Sequence, residues 1–332
     1  NYYWSVGNCR LNQLFSAPRH TTKESNMQNL RRKVLILGGG EMSHAMQHLL
    51  GARHDLLVWT RTAPPGATPM APQDMVTQCD FVLFCLPAQP HLDLLTRLLP
   101  KLSRRTLCLS IAKGLDEQGR TPADVFTQIL GGKVPHAVLY GPMISEELRA
   151  GKPGFAQLAA SDGEGLHTTT ALFLGSGLHI EASSDRIGIS WSAILKNVYA
   201  ILFGVADELQ LGDNMRGHLA VGALAEIGDI VGGFGGQATT PYRWAGLGDL
   251  ITTATSAGSH HHELGRLLVR GRGDAIRGEG LHTLEILRRL ALVAIDAHPL
   301  LNLIEACVHH PDNIRSNVQN YLHQLDHPRR RA

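Results

Sequence analysis

The sequence predicts an α/β domain built on a doubly wound parallel sheet, followed by an all-α domain. Three observations predict it. Short aliphatic runs alternate with helically spaced segments over about 150 residues, as parallel strands buried under helices on both faces do. A glycine-rich turn, "GGGEMS" at 38–43, joins the first strand to the first helix. From about residue 186 the strand signal gives way to long helical segments.

The elements follow in order. "KVLILGGG" (33–40) is a buried strand ending in glycines, and "EMSHAMQHLLG" (41–51) has apolar residues at helical spacing. Strands are expected at 55–61, 79–87, 106–114, 136–142 and 154–161, and helices at 91–102, 122–130 and 144–151. "DRIGISWSAILKNVYAILFGVADELQLG" opens the helical half. The expected domains are 30–185, Rossmann-like, and 186–326, all-helical and carrying the substrate side. Residues 1–26 carry no periodic pattern and no signal-peptide core, and are expected to be a disordered or non-native leader. "GRGDAIRGEG" (271–280) reads as a flexible turn region.

Composition bounds the function. At 332 residues, 43% hydrophobic, the chain is long enough for two cores. A formal net charge of +2 gives no electrostatic case for a nucleic-acid partner. The five cysteines show no metal spacing, and their odd number fits a reducing, cytoplasmic compartment. No apolar run is expected to reach the roughly 18–20 residues that cross a membrane.

In the glycine turn, Gly38 suits the tight bend, and Gly40 lets a pyrophosphate approach the backbone and the positive end of the next helix. Ser43 stands where the dinucleotide fingerprint wants a third glycine, which weakens the match. The second strand ends "VWTR", with no acid for ribose hydroxyls. Arg61 favours a 2′-phosphate, hence NADP(H) over NAD(H); a solvated strand end is the other reading of Arg61.

Lys196 and Asn197 fall in the middle of "SWSAILKNVYAILFGVA" (190–206), a segment apolar or small all round and therefore buried. A buried lysine loses basicity, which suits proton transfer near neutral pH; a snorkelling or salt-bridged lysine is the alternative. Asp249 in "GLGDLITTATS" is a candidate partner for an ammonium or a substrate hydroxyl, or else a helix N-cap. Lys113 in "SIAKG" stands at the carboxyl end of a strand, where open α/β sheets bind ligands.

These segments resemble the NAD(P)-dependent glycerol-3-phosphate dehydrogenases. The resemblance runs from about Lys33 to Pro311 and rests on "SIAKGLD", "YGPMISEELRAGKP", "AILKNVYAILFGVADELQLGDNMR", "WAGLGDLITTATS" and "GEGLHT", in the family's order. It implies Lys196 as proton donor or acceptor, with Asp249 and Lys113 holding the substrate oxygens. It implies further substrate contacts at Gly141, Asn197, Ser259, His260 and His261. Cofactor contacts are implied at Gly38, Gly40, Glu41, Met42, Arg61, Pro87, Lys113, Ser145, His260 and Glu279. The implied reaction moves a hydride between nicotinamide and the central carbon of dihydroxyacetone phosphate or glycerol 3-phosphate. The expected partners are a small phosphorylated or carbonyl substrate and, left open, a second copy in a homodimer.

"SAGSHHHELG" (256–265) departs from the pattern. Family members carry Ser-Arg-Asn there to grip the substrate phosphate, whereas this chain has Ser259, His260 and His261. Imidazole, with an ordinary pKa of about 6.5, is only partly charged at pH 7. A helix N-terminus capped by Ser259 still offers N–H groups to an anion. Consecutive helical residues point about 100° apart, so three histidines in a row do not converge on one metal ion. An anion or substrate role and a solvated loop stay open. Met143, where the family has serine, is a further departure, leaving another small hydroxy or oxo substrate, or a non-catalytic dinucleotide-binding module, as rival readings.

Overall fold

Seven strands form one sheet in the order β2-β1-β3-β4-β5-β6-β7. They are β1 (Lys33–Leu37), β2 (Asp55–Trp59), β3 (Phe81–Phe84), β4 (Leu107–Ser110), β5 (His136–Tyr140), β6 (Gly154–Ala160) and β7 (Leu178–Ala182). The computed structural model describes residues 30–62, 70–256, 258–272 and 278–326. The expected leader at 1–26, and residues 273–277 of the expected turn region, lie outside them.

β1 to β5 run parallel, but β6 pairs antiparallel with β5 and β7 parallel with β6. The sheet is therefore mixed, not wholly parallel as expected. Only 13 residues, 141–153, connect β5 to β6, with one short helix among them. That helix lies beside the first helix of the fold, and the chain turns back rather than crossing over.

Period-two alternation sends side chains to opposite faces. Val34 and Ile36 pack with Ala45 and Met46 of α1 (Glu41–Gly51), Leu148 of α5 (Ser145–Arg149) and Leu172 of α6 (Gly163–Leu172). Leu35 and Leu37 pack with Met75 of α2 (Pro72–Val76), Leu95 of α3 (His91–Leu98) and Phe126 of α4 (Pro122–Leu130). The start of α4 is set by sequence: Pro122 opens it, and Thr121 and Asp124 form a reciprocal capping box.

After β7 the described residues contain no further strand. The helices are α7 (Arg186–Glu208), α8 (Gly212–Gly233), α9 (Asp249–Thr255), α10 (His260–Val269), α11 (Glu279–Arg289), α12 (Pro299–His309) and α13 (Ile314–Asp326). α7 is the axis of this layer. Asp185 caps it, accepting from Gly188 N at 2.8 Å, Gln237 N at 2.8 Å and Thr240 Oγ1 at 2.6 Å. One side of α7, at Ile189 and Ala193, packs on Val138 and Tyr140 of the sheet. The rest is enclosed by α8, α10, α11 and α12. Against expectation, α7 is by length and composition long and apolar enough to cross a membrane, but its apolar window is wholly enclosed by the protein.

Candidate active site

β1, β3 and β4 are neighbours in the sheet, and their carboxyl ends carry the first part of the site. Gly38 sits at φ +127°, and a Cβ there would run into the Cys85 carbonyl. Only glycine allows this turn. Over Gly40 a Cβ would meet nothing within 4 Å, so the backbone leading into α1 is open to a ligand. Ser43 is fully buried and its Oγ donates to the Gly38 carbonyl at 2.7 Å, so the serine ties down the turn it was expected to weaken.

The second part is a buried charge cluster between sheet and helices. The Lys196 ammonium donates to Thr253 Oγ1 at 2.5 Å and lies 3.1 Å from Asp249 Oδ1. Lys113 Nζ lies 2.6 Å from Asp249 Oδ2 and donates to the Gly141 carbonyl at 3.0 Å. One carboxylate thus bridges two ammonium groups. Lys196 is 5% exposed and Asp249 3%. Burial lowers the Lys196 pKa to about 8; Asp249 opposes that shift and Lys113 adds to it. Such an amine can take up and release a proton near neutral pH. Asp249 is not an N-cap: Gly248 precedes α9, and the Asp249 carboxylate is committed to the lysines.

A π-helical turn, Trp244–Gly248, delivers Asp249 to this point; Gly246 within it packs against the Pro241 backbone with no room for a side chain. Asn197, next to Lys196 on α7, donates from Nδ2 to the Lys113 carbonyl at 3.4 Å. Thr253 was not anticipated. Its signal was present, because Asp249 and Thr253 are four residues apart on one helix and share a face.

The three histidines separate. Ser259 caps α10, its Oγ accepting from His262 N at 3.3 Å. His260 is exposed; it adds a small part to the lowering of the Glu146 pKa, which comes mainly from hydrogen bonds from its own backbone and from Ser145, and then from Arg149. His261 turns inward, and its Nε2 accepts from Gly280 N at 3.3 Å. Burial, then Lys196, push its pKa down to about 3, so it is a neutral imidazole. His262 leaves the site, its Nε2 lying 2.7 Å from Asp207 Oδ2, which Arg216 also grips.

Glu279 opens α11 beside Lys113: a Cβ on Gly114 would overlap its carboxylate. Burial raises its pKa, and its Oε2 is buried without a partner. Ser145 is buried at the start of α5, its Oγ donating to Glu146 Oε2 at 2.9 Å. Met143 is buried in the core under the sheet. The Pro87 carbonyl accepts from His91 Nδ1 at 3.0 Å. Glu41 pairs with Arg149 at 2.5 Å, Met42 packs half-buried on the sheet face, and Arg61 is exposed past the end of β2. No hydrogen bond or ion pair joins these last three to the lysine–aspartate cluster among the described residues.

A glycine turn open to a dinucleotide at the strand ends, together with a buried low-pKa lysine on the helix packed against the same sheet, is the equipment of a dehydrogenase that pairs hydride and proton transfer. Comparison with known proteins narrows this class. Residues 67–165 match the family described as NAD-dependent glycerol-3-phosphate dehydrogenase N-terminus, and residues 185–319 match its C-terminus. A glycerol-3-phosphate dehydrogenase [NAD(P)+] of Agrobacterium fabrum is 29% identical over 321 residues, covering 88% of this chain and 97% of its own. One from Gloeobacter violaceus is 31% identical over 268 residues, covering 78% and 86%. The crystal structure of the Coxiella burnetii glycerol-3-phosphate dehydrogenase superposes with a TM-score of 0.77 at 25% identity, over 88% of this chain and 99% of that one. The chain belongs to the NAD(P)-dependent glycerol-3-phosphate dehydrogenase family and is an oxidoreductase of that fold.

Proposed function

We propose that the protein reduces dihydroxyacetone phosphate to sn-glycerol 3-phosphate with NAD(P)H, with Lys196 as the general acid and, in reverse, the general base. The observation that carries this is the buried Lys196 ammonium, with its pKa near 8, held by Asp249 and Thr253. The names of the relatives support the substrate and the cofactor. The cofactor fits the residues present: the Gly38 turn, the open backbone at Gly40, and the orphaned Glu279 carboxylate beside Gly114.

NAD(P)H, when bound, supplies the hydride. Lys196 gives its proton to the carbonyl oxygen as that oxygen gains charge. Asp249 keeps Lys196 protonated and aimed, and with Lys113 it positions the substrate oxygens. Asn197 and Gly141 hold Lys113 in place through its carbonyl and its ammonium. Glu279, Pro87 and Ser145 take the cofactor side of the site. The division near residue 185 is then one of labour, with cofactor on 30–185 and proton chemistry on 186–326. NADPH is preferred, because β2 ends without an acid and with an exposed Arg61.

Ser259, His260 and His261 take the phosphate end through the first turn of α10. Because His261 is neutral there, a second reading survives: a small hydroxy or oxo substrate without a phosphate. Oxidation of NADPH on addition of dihydroxyacetone phosphate tests the first reading. Turnover with unphosphorylated dihydroxyacetone alone overturns it in favour of the second. His260→Arg places a fixed cation at this end and is expected to lower the KM for the phosphorylated substrate about tenfold. An unchanged KM would put His260 outside the pocket.

Four cysteines, 79, 85, 108 and 307, are free and buried among the described residues, which supports a reducing, cytoplasmic setting. A homodimer is the assembly this reading expects, and sedimentation velocity tests it.

A further inference from the structure

His91 is the first residue of α3, fully buried, and its ring packs against Phe84 and Phe126, which also touch each other. Both of its ring nitrogens are committed. Nδ1 lies 3.0 Å from the Pro87 carbonyl, which can only accept, so Nδ1 carries the hydrogen. Burial lowers the His91 pKa to about 4, so the ring is neutral and Nε2 is an acceptor. Ser110 Oγ, 2.9 Å from Nε2, therefore donates to it. The same Oγ accepts from Ala112 N at 3.2 Å. The result is a directed chain: Ala112 N–H to Ser110 Oγ–H to His91 to the Pro87 carbonyl.

This chain ties together the ends of two neighbouring strands. Phe84 of β3 is in register with Ser110 of β4. Pro87 lies three residues beyond Phe84, and Lys113 three beyond Ser110. Both strands have stopped pairing before these points, and the imidazole takes over as the cross-link between their loops.

We propose that His91 is a positioning residue: through Ser110 and the Pro87 carbonyl it fixes the two strand-end loops that carry the cofactor-side Pro87 and the substrate-side Lys113. The inference rests on the roles proposed above for those two residues. A packing role alone predicts lost stability with unchanged affinities. A positioning role predicts changed affinities, because a shift of about 1 Å in a holding group is costly to the reaction.

His91→Phe keeps an aromatic ring against Phe84 and Phe126 and removes both hydrogen bonds. Ser110→Ala removes one link and leaves the ring. Each variant is titrated with NADPH by fluorescence, a reading independent of turnover, and assayed for the KM of dihydroxyacetone phosphate. We expect His91→Phe to raise both the NADPH Kd and that KM about fivefold or more, Ser110→Ala to move both the same way, and the double variant to be no worse than His91→Phe. If both single variants keep Kd and KM within about twofold of the parent, whatever happens to Tm, the proposal is overturned. If the parent binds NADPH but does not turn over dihydroxyacetone phosphate, the proposed reaction fails, while the NADPH titrations still decide the role of His91.

Discussion

Lys196→Ala is expected to lower turnover of dihydroxyacetone phosphate by roughly 10²–10⁴-fold, the range that one positioned proton donor supplies. NADPH binding should hardly change, because the turn at Gly38–Gly40 and the Glu279 carboxylate do not depend on Lys196. The residue is costly where it sits. Its helix is buried on all sides there, and the ammonium is offset by Asp249 and the Thr253 hydroxyl. Removing the side chain also removes a desolvation cost, so the variant should fold. Single-turnover and steady-state assays with NADPH, set beside a fluorescence titration, separate lost chemistry from lost binding. Activity close to the parent's would remove Lys196 from its role.

The second large effect is expected from Asp249→Asn. The amide has nearly the same shape, but it no longer balances the ammonium groups of Lys113 and Lys196 that flank it. The carboxylate raises the Lys196 pKa against the lowering by burial and Lys113, so its removal sends that pKa below about 8. At neutral pH more of the lysine is then unprotonated, and reduction should fall by at least about 10²-fold. The sign makes this specific: reduction in Asp249→Asn should partly recover as pH is lowered, because acid restores the proton on Lys196. Removing the one carboxylate between two ammonium groups should also lower stability, which thermal unfolding would register. A variant whose pH profile overlays the parent's would show that Asp249 does not act through Lys196.

Much of this site was legible because burial and charge conflict in one short segment. An apolar helix that carries Lys196 and Asn197 at its centre announces a cost that needs a partner, and "GLGD" supplied the partner's residue type. The helix 41–51 was legible to the residue from its apolar spacing, and the bounds read for 122–130 are also those of the structure. Direction was not legible. "GFAQLAA" reads as a buried strand whichever way it runs, and only the short return after Tyr140 makes β6 antiparallel. β7 was missed because an edge strand with half-exposed residues leaves a weak pattern. Helices α2 and α6 were missed too; α2 has only five residues, and α6 is rich in glycine and threonine. The histidine run shows the limit most clearly. Helical geometry says that three neighbours diverge, but only the packed structure sends His261 to Gly280, His262 to Asp207 and His260 to the surface.

One measurement bears most directly on the claim that Lys196 carries the proton: the pH dependence of turnover in both directions. Reduction needs the protonated amine, so it should hold below about 8 and fall as pH rises through that value. Oxidation of glycerol 3-phosphate needs the free amine, so it should rise through the same region. Opposite limbs sharing a midpoint near 8, and absent in Lys196→Ala, are the predicted result. Limbs that move together, or that persist unchanged without Lys196, would contradict it.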